Sequence, residues 1–137
     1  MITYRNELSA DAYLELRELV GWRRITPAMA RTGLEHSAFL VTARDGDLPV
    51  GMARVISDHG YIYLIADVIV RPAYQGRGIG TALLERIDAW LQAERCGKPT
   101  MMVYLMTAAG KEGFYRRFGF LERPGEHMGA GMTKWLE

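Results

Sequence analysis

The segment with the clearest capacity for chemistry is rich in glycine and reads Gln75-Gly-Arg-Gly-Ile-Gly80. Glycines at alternate positions let the backbone approach a ligand closely, because no side chain stands in the way. A helix is predicted to begin here, and the free N–H groups and dipole at a helix start favour an anion. Arg77 adds a positive side chain. The segment therefore predicts a cradle for a phosphate or pyrophosphate group.

Two common phosphate-binding motifs do not fit the chain. A Walker loop ends in Gly-Lys-Ser or Gly-Lys-Thr, and neither Gly97-Lys98-Pro99 nor Gly110-Lys111-Glu112 has that ending. A dinucleotide fingerprint would need glycine at the position of Thr81. ATP and NAD are therefore disfavoured as ligands. A glycine-rich turn that binds nothing is the alternative interpretation.

Periodicity and turn residues predict the elements that position this segment. A β-branched and aromatic strand over 61–70 precedes it, and an amphipathic helix over 78–95 follows it. Further strands are predicted over 2–5, 39–43, 50–57, 100–106 (of the buried type), 120–123 and 132–136, and further helices over 9–20, 27–34 and 111–118. The order β-α-α-β-β-β-α-β-α-β-β indicates an α/β (α+β) fold with a mixed, mostly antiparallel sheet flanked by helices.

Length and composition narrow the class of protein. A chain of 137 residues suits a single domain over 1–137. Seventeen Lys and Arg against sixteen Asp and Glu leave it nearly neutral, which argues against a nucleic-acid partner. One cysteine cannot form an internal disulfide, and no apolar run is long enough to cross a bilayer. We therefore expect a cytoplasmic protein without a membrane partner.

Two motifs resemble those of one known family. The stretch from Asp67 to Leu84 is similar to the acetyl-CoA-binding motif of the GNAT acetyltransferase superfamily, in which Gln or Arg, two residues, Gly, one residue and Gly or Ala follow a strand. Phe114-Tyr-Arg-Arg-Phe-Gly-Phe120 resembles the short helix of that family with its Tyr-x-x-x-Gly-Phe ending. The predicted order of elements also fits, so the resemblance covers essentially the whole chain as one GNAT-like N-acetyltransferase domain.

The resemblance implies how acetyl-CoA would bind as a cosubstrate. Its pyrophosphate would lie on the backbone N–H groups between Gly76 and Thr81, and its pantetheine arm would run along the preceding strand. The implied cofactor-binding residues are Val68, Ile69, Val70, Gln75, Gly76, Arg77, Gly78, Ile79, Gly80 and Thr81. A substrate amine would attack the thioester directly, and Tyr115 matches the family tyrosine that protonates the departing CoA thiolate. Cys96 has no obvious base and is not expected to act as a nucleophile.

The sequence motifs constrain the base and the amine-binding residues less than they constrain the cofactor-binding residues. An aliphatic amine is almost fully protonated near pH 7, so it needs a proton acceptor or a desolvating site. Asp58, His59 and Asp67 are the candidates, with Asp67 favoured. Candidate substrate-binding residues are Trp22, Arg54, Asp58 and Tyr63. Arg54 lies in an apolar strand and needs an anionic partner, either a substrate carboxylate or Asp58 or Asp67.

The chain is therefore expected to be an N-acetyltransferase for a primary amine on a small molecule, an amino acid or a protein N-terminus. The histidines lack metal-ligand spacing, so no metal is predicted. A homodimer is left open. The family often has Asn at the position of Ala108, where it contacts the cofactor. This departure keeps a non-catalytic CoA-binding sensor or regulatory module as the alternative function.

Overall fold

The structure, a computed structural model, describes residues 1–137, and its internal contacts divide the chain into two compact units. The first unit is Met1–Val103 and the second is Tyr104–Glu137. Most of the regular secondary structure, and all of the glycine-rich segment, lies in the first unit. No helix combines the length and the apolar composition that crossing a membrane would require.

A five-stranded sheet forms the centre of the first unit, with its strands in chain order across the sheet. Neighbours among the first four strands are antiparallel. A 16-residue helix connects the fourth strand to the fifth, which is the crossover that a parallel pair needs and makes the sheet mixed. The strands are β1 (Ile2–Arg5), β2 (Phe39–Asp45), β3 (Leu48–Ser57), β4 (Ile62–Val70) and β5 (Met102–Tyr104).

Helices α1 (Ala10–Leu19) and α2 (Pro27–Glu35) begin where the sequence places capping residues. The hydroxyl of Ser9 accepts from the N–H of Ala12, and the hydroxyl of Thr26 accepts from the N–H of Met29. These contacts satisfy N–H groups that the first turn of a helix leaves without an intrahelical acceptor. Both helices therefore start with their own side-chain caps.

Helix α3 (Ile79–Glu94) packs on the opposite face of the sheet from α1 and α2. A methyl group added at Gly51 of β3 would lie 3.3 Å from side-chain carbons of Ile79 and Leu83, so α3 covers this face closely. The next residue, Met52, packs in the core cluster with Tyr13 of α1. Because successive strand residues point to opposite faces, the helices form two layers around the sheet. The predicted fold class is confirmed in this unit.

The second unit contains α4 (Glu112–Arg116) and an aromatic cluster. The ring of Phe114 contacts those of Tyr115 and Phe118 edge-on, and Tyr115 contacts Phe120 in the same way. The strands predicted over 120–123 and 132–136 are wrong, since neither segment forms a strand. Pro124 and three glycines interrupt this region, and no neighbouring strand pairs with it, so its short apolar runs have no ladder to join. These runs leave large apolar side chains exposed: Leu121, Met132, Trp135 and Leu136.

Strand β5 also differs from its prediction. It has three residues instead of the seven over 100–106, and Met102 is exposed, so it is not of the buried type. The N–H of Met102 donates to the carbonyl of Tyr61 at 2.7 Å, which places β5 beside the beginning of β4. A three-residue strand cannot reach along all nine residues of β4. The final residues of β4 therefore extend past β5.

Candidate active site

The glycine-rich segment forms the turn between β4 and α3. After β4 ends at Val70, a short 3-10 turn over Pro72–Tyr74 leads into it. Gly76 and Gly78 both have positive φ, 76° and 80°, which favours glycine at these positions. A methyl group added at either glycine would meet nothing within 4 Å. Glycine at these two positions therefore allows the backbone conformation and is not required by close packing. The space above the turn stays open.

The first turn of α3 has no side-chain cap. Gly78 occupies the N-cap position, where it has no side chain to accept from the N–H groups that follow. The N–H of Ala82 donates to the carbonyl of Gly78 at 3.0 Å, so the N–H groups of Ile79, Gly80 and Thr81 precede the first intrahelical bond. No acidic residue stands in this turn. The arrangement suits a phosphate, which accepts from several N–H groups and interacts favourably with the helix dipole.

Side chains on both sides of the glycines anchor the turn. The Gln75 amide donates to the carbonyl of Val70 at 3.0 Å. The Tyr74 hydroxyl donates to Asp45 Oδ2 at 2.7 Å, and this hydrogen bond raises the pKa of the hydroxyl. The exposed guanidinium of Arg77 lies over the Tyr74 ring, 4.8 Å from its centre. The turn is thus tied to β2 and β4 and carries an available positive charge.

The last part of β4 contains a β-bulge. Its pairing with β3 shifts between Met52 and Arg54, so two residues of β4 lie opposite the single residue Ala53. Those two residues are Asp67 and Val68. Asp67 has a φ of 53°, in the left-handed region that non-glycine residues rarely occupy. A bulge re-aims the backbone that follows it. The predicted pantetheine strand thus begins at an irregularity and continues past the end of β5.

Asp67 itself is surrounded by hydrogen-bond donors. Its Oδ2 accepts from the Tyr13 hydroxyl at 2.5 Å and from Arg54 Nε at 2.6 Å, and its Oδ1 accepts from Arg17 Nη1 at 3.1 Å. The Asp67, Arg17 and Arg54 side chains are 10%, 14% and 13% exposed. The hydrogen bond and charge of Asp67 raise the pKa of Arg54 although desolvation by burial, the largest single influence, lowers it. Desolvation and then the bond to Asp67 raise the pKa of Tyr13.

The predicted substrate-binding residues divide into two groups. Arg54 binds Asp67, one of the anionic partners that the sequence left open. Trp22 lies near this cluster, with the Arg17 guanidinium 5.5 Å from its ring centre. The structure thus brings Arg54, Trp22 and Asp67 into one region. Tyr13 and Arg17 were not predicted for this site, although their spacing of four residues puts them on one face of α1.

Tyr63 and Asp58 lie elsewhere. Tyr63 is fully buried against Trp90, and its hydroxyl contacts Glu94 at 3.2 Å, at the end of α3 farthest from the glycines. Asp58 accepts from the N–H of Gly60 within its own turn, at 2.8 Å. His59 Nδ1 lies 3.1 Å from Glu94. The structure does not bring these three residues together with Asp67.

Tyr115 of α4 carries a neutral hydroxyl. Burial raises the pKa of its hydroxyl to about 12, so the group keeps its proton throughout the neutral range. Cys96 is exposed. No three His, Cys, Asp or Glu side chains are grouped so that they could hold a metal ion.

The family model for the acetyltransferase (GNAT) domain matches residues 35–122, well over half of the chain. The chain belongs to the GNAT acetyltransferase family. The matched range contains β4, the glycine-rich turn, α3 and Tyr115, so the resemblance seen in the two sequence motifs is confirmed.

Relatives and solved structures agree with this assignment. The GNAT chain is 32% identical over 121 residues to serotonin N-acetyltransferase 2, chloroplastic, from Oryza sativa, covering 85% of this chain and 58% of the rice protein. A probable acetyltransferase from methicillin-resistant Staphylococcus aureus superposes with a TM-score of 0.87 at 27% identity, covering 98% of this chain and all of the other. A GNAT family protein from Streptococcus pneumoniae gives 0.78 at 27% identity, covering 100% and 97%. The chain spans a little over half the length of the rice relative.

Proposed function

We propose that this GNAT domain transfers the acetyl group of acetyl-CoA directly to a primary amine. The observation that carries the proposal is the start of α3, where two positive-φ glycines precede a first turn that has no side-chain cap. Such a turn presents N–H groups and a positive dipole end to an anion. The pyrophosphate of acetyl-CoA is an anion of suitable size, and Arg77 supplies a further positive charge.

The pantetheine arm is proposed to lie along Val68–Val70. This part of β4 begins in the bulge and extends past β5, so the strand edge that does not pair with β3 is available for pairing with an amide-containing arm. A backbone N–H of this strand would polarise the thioester carbonyl as negative charge develops on its oxygen. Preorganised donors of this kind contribute a few kcal/mol to stabilising a transition state.

The transfer step is proposed to need no acyl-enzyme. The neutral amine attacks the thioester carbonyl carbon and forms the new C–N bond, and the C–S bond then breaks. Tyr115 gives its proton to the departing thiolate, so CoA leaves as a thiol. The amine nitrogen loses one proton to an acceptor that stays a prediction, since Asp58, His59 and Asp67 are each engaged in other contacts.

A thiol-release assay with acetyl-CoA and a panel of primary amines tests the proposal. The panel holds small-molecule amines, including aryl-ethylamines, amino acids and peptides with free N-termini. Turnover with at least one amine supports the proposed function. The Gly78→Val variant serves as the matched control because its cradle should be blocked.

A CoA-binding sensor is the second candidate, and Ala108 favours it because the family often has a cofactor-contacting Asn at that position. Calorimetric binding of CoA without turnover of any amine would support the sensor. Absence of CoA binding would overturn both proposals. A cytoplasmic location and a homodimer stay predictions.

A further inference from the structure

The proposed pantetheine strand is held at both ends by side chains of α1. At its end, Arg71 donates to Glu15 of α1 at 3.0 Å and to the carbonyl of Pro49 at 2.9 and 3.2 Å. At its beginning, Asp67 accepts from two other residues of α1. Val68–Val70 thus lies between two sets of polar contacts, one made by Arg71 and one made by Asp67. Hydrogen bonds therefore join α1 to the strand on both sides of the segment that would contact acetyl-CoA.

Hydrogen bonds of this kind also restrain the backbone conformation of Asp67. A positive φ is unfavourable for a residue with a Cβ, and it persists where the surroundings hold it in place. Tyr13, Arg17 and Arg54 supply that restraint, because their three donors fix both carboxylate oxygens. These three side chains and the Asp67 carboxylate are called the clamp below. Arg54 is fixed in turn, since its Nη1 donates to the carbonyl of Gly33 at 3.0 Å. The carboxylate therefore couples α1, α2 and β3 to the bulge of β4.

The same contacts commit the Asp67 carboxylate to partners within the fold. Its Oδ2 accepts two hydrogen bonds and its Oδ1 accepts one, which together use three of the about four lone-pair positions of the carboxylate. Protonation would leave Arg17 and Arg54 without their counter-charge in a nearly buried setting, which is strongly unfavourable. The carboxylate is thus better suited to hold structure than to exchange protons.

We propose that Asp67 is a positioning residue whose carboxylate, clamped by Tyr13, Arg17 and Arg54, holds the β4 bulge so that the backbone of Val68–Val70 is aligned for acetyl-CoA. This inference rests on the proposed function for its consequence in catalysis. The clamp itself concerns the protein without any ligand. In this proposal Asp67 holds the bulge instead of acting as the base, and measurements of structure and of CoA binding distinguish the two roles.

The test compares Asp67→Asn with wild-type protein in three measurements. Backbone amide shifts and hydrogen exchange of Val68–Val70 report the bulge by NMR, calorimetry reports CoA affinity, and the pH profile of kcat/KM reports the proton acceptor. Glu18→Gln is the matched control, because Glu18 is an exposed carboxylate of α1 whose ion pair with Arg24 is not part of the clamp. Asparagine tolerates positive φ and keeps the shape, while the variant removes the charge and turns one accepting oxygen into an NH2 donor that faces the donors of the clamp.

We expect altered amides confined to the bulge region and CoA affinity lower by about ten- to a hundredfold, because the strand is no longer preorganised for the ligand. The acidic limb of the pH profile of kcat/KM should be unchanged. Unchanged amides and affinity together with loss of the acidic limb would overturn the proposal and make Asp67 the base. If Asp67→Asn does not fold, Tyr13→Phe, which removes one donor and keeps the ring, is measured in the same way. If wild-type protein does not bind CoA, the proposed function fails, while the amide measurement still decides whether the clamp exists.

Discussion

Helices α3 and α4 both begin without a side-chain cap, yet they differ in what holds them. Helix α3 has sixteen residues, and five of its side chains are buried. Helix α4 has five residues and no fully buried side chain. Packing along its length stabilises α3, so its first turn can leave N–H groups free for a ligand. Helix α4 is too short to offer such a site, and its proposed contribution is one side chain, Tyr115.

The comparison therefore predicts that ligand binding depends on the first unit and proton donation on the second. The largest effect is expected from Gly78→Val. A β-branched side chain is disfavoured at a φ of 80°, by about 1–2 kcal/mol, and it would stand where the pyrophosphate approaches the backbone. We expect CoA affinity, measured by calorimetry, to fall at least about a hundredfold, which is about 2.7 kcal/mol, while the circular dichroism spectrum stays that of a folded protein.

The control for this variant lies at the other end of the same helix. Gly97 has a φ of 76°, and a methyl group added there would meet nothing within 4 Å. Gly97→Val should lower the free energy of unfolding about as much as Gly78→Val and leave CoA affinity unchanged. Equal loss of affinity in both variants would show that backbone strain, and not a blocked cradle, is responsible.

CoA should stabilise the wild-type protein by filling the open turn of α3. At about 100 times its Kd, a ligand specific for the folded state adds about 2.7 kcal/mol to the free energy of unfolding. Thermal unfolding with CoA, acetyl-CoA, ATP and NAD measures this. ATP and NAD should stabilise weakly or not at all at equal concentration. Equal stabilisation by ATP would mean that the turn binds phosphate without selecting CoA.

Tyr115→Phe should separate turnover from binding. The change deletes one hydroxyl and keeps the ring that packs against Phe114 and Phe120. General acid catalysis typically contributes about 10²–10⁴-fold, and a thiolate leaves well without much help, so we expect kcat to fall by about ten- to a hundredfold. CoA affinity should not change. Tyr61→Phe, at an exposed tyrosine of the first unit, is the control.

The pH dependence of the same step follows from the burial of Tyr115. Because burial raises its pKa to about 12, the protonated donor persists to high pH and is lost only as pH rises through that value. Activity limited by this proton should thus show no alkaline limb from Tyr115 below about pH 11. The difference between the absorbance titrations of wild-type protein and Tyr115→Phe near 295 nm should show one tyrosine that ionises well above pH 10. Its ionisation near pH 10 would contradict the burial.

The smallest effect is expected where a helix already has its own cap. Ser9→Ala removes the hydroxyl that accepts from the N–H of Ala12 and should lower the free energy of unfolding by about 1 kcal/mol. Denaturant unfolding measures this. CoA affinity should stay at the wild-type value, because α1 begins away from the glycine-rich turn. A weaker Kd for CoA would show that the start of α1 also acts on the ligand.

The sequence predicted the first unit far better than the second. Each predicted strand and helix up to α3 is present, because long periodic runs are flanked by Asp, Gly, Ser, Thr and Pro in turn or cap positions. The glycine-rich turn was predicted from the spacing of three glycines, of which Gly76 and Gly78 adopt positive φ. Over 120–136 the two predicted strands are four and five residues long, contain at most two consecutive apolar residues and lie beside glycines and a proline, where a strand depends on a partner that local pattern does not reveal.

Within the site, the clamp escaped prediction for a related reason. Tyr13 and Asp67 are 54 residues apart, and no local pattern shows that α1 lies over the β4 bulge. Arg54 could be recognised as needing an anion, but the choice among its partners required the register of β3 on β4. The sequence makes Tyr63 a substrate-binding candidate, and only the folded chain shows that its hydroxyl lies beside Glu94 at the far end of α3.

The uncapped start of α3 also bears on how the protein could evolve or be engineered. Helix caps and replacements of glycine are among the easiest routes to a more stable fold. Selection for thermal resistance in the absence of nucleotide would therefore favour residues at Gly76 or Gly78 that tolerate positive φ and bring a side-chain acceptor, such as Asn. Those replacements would add a stabilising contact at the point where the backbone must remain accessible. In a thermostability screen of this protein, we expect variants at these two glycines to gain thermal stability and to lose CoA binding more often than variants elsewhere.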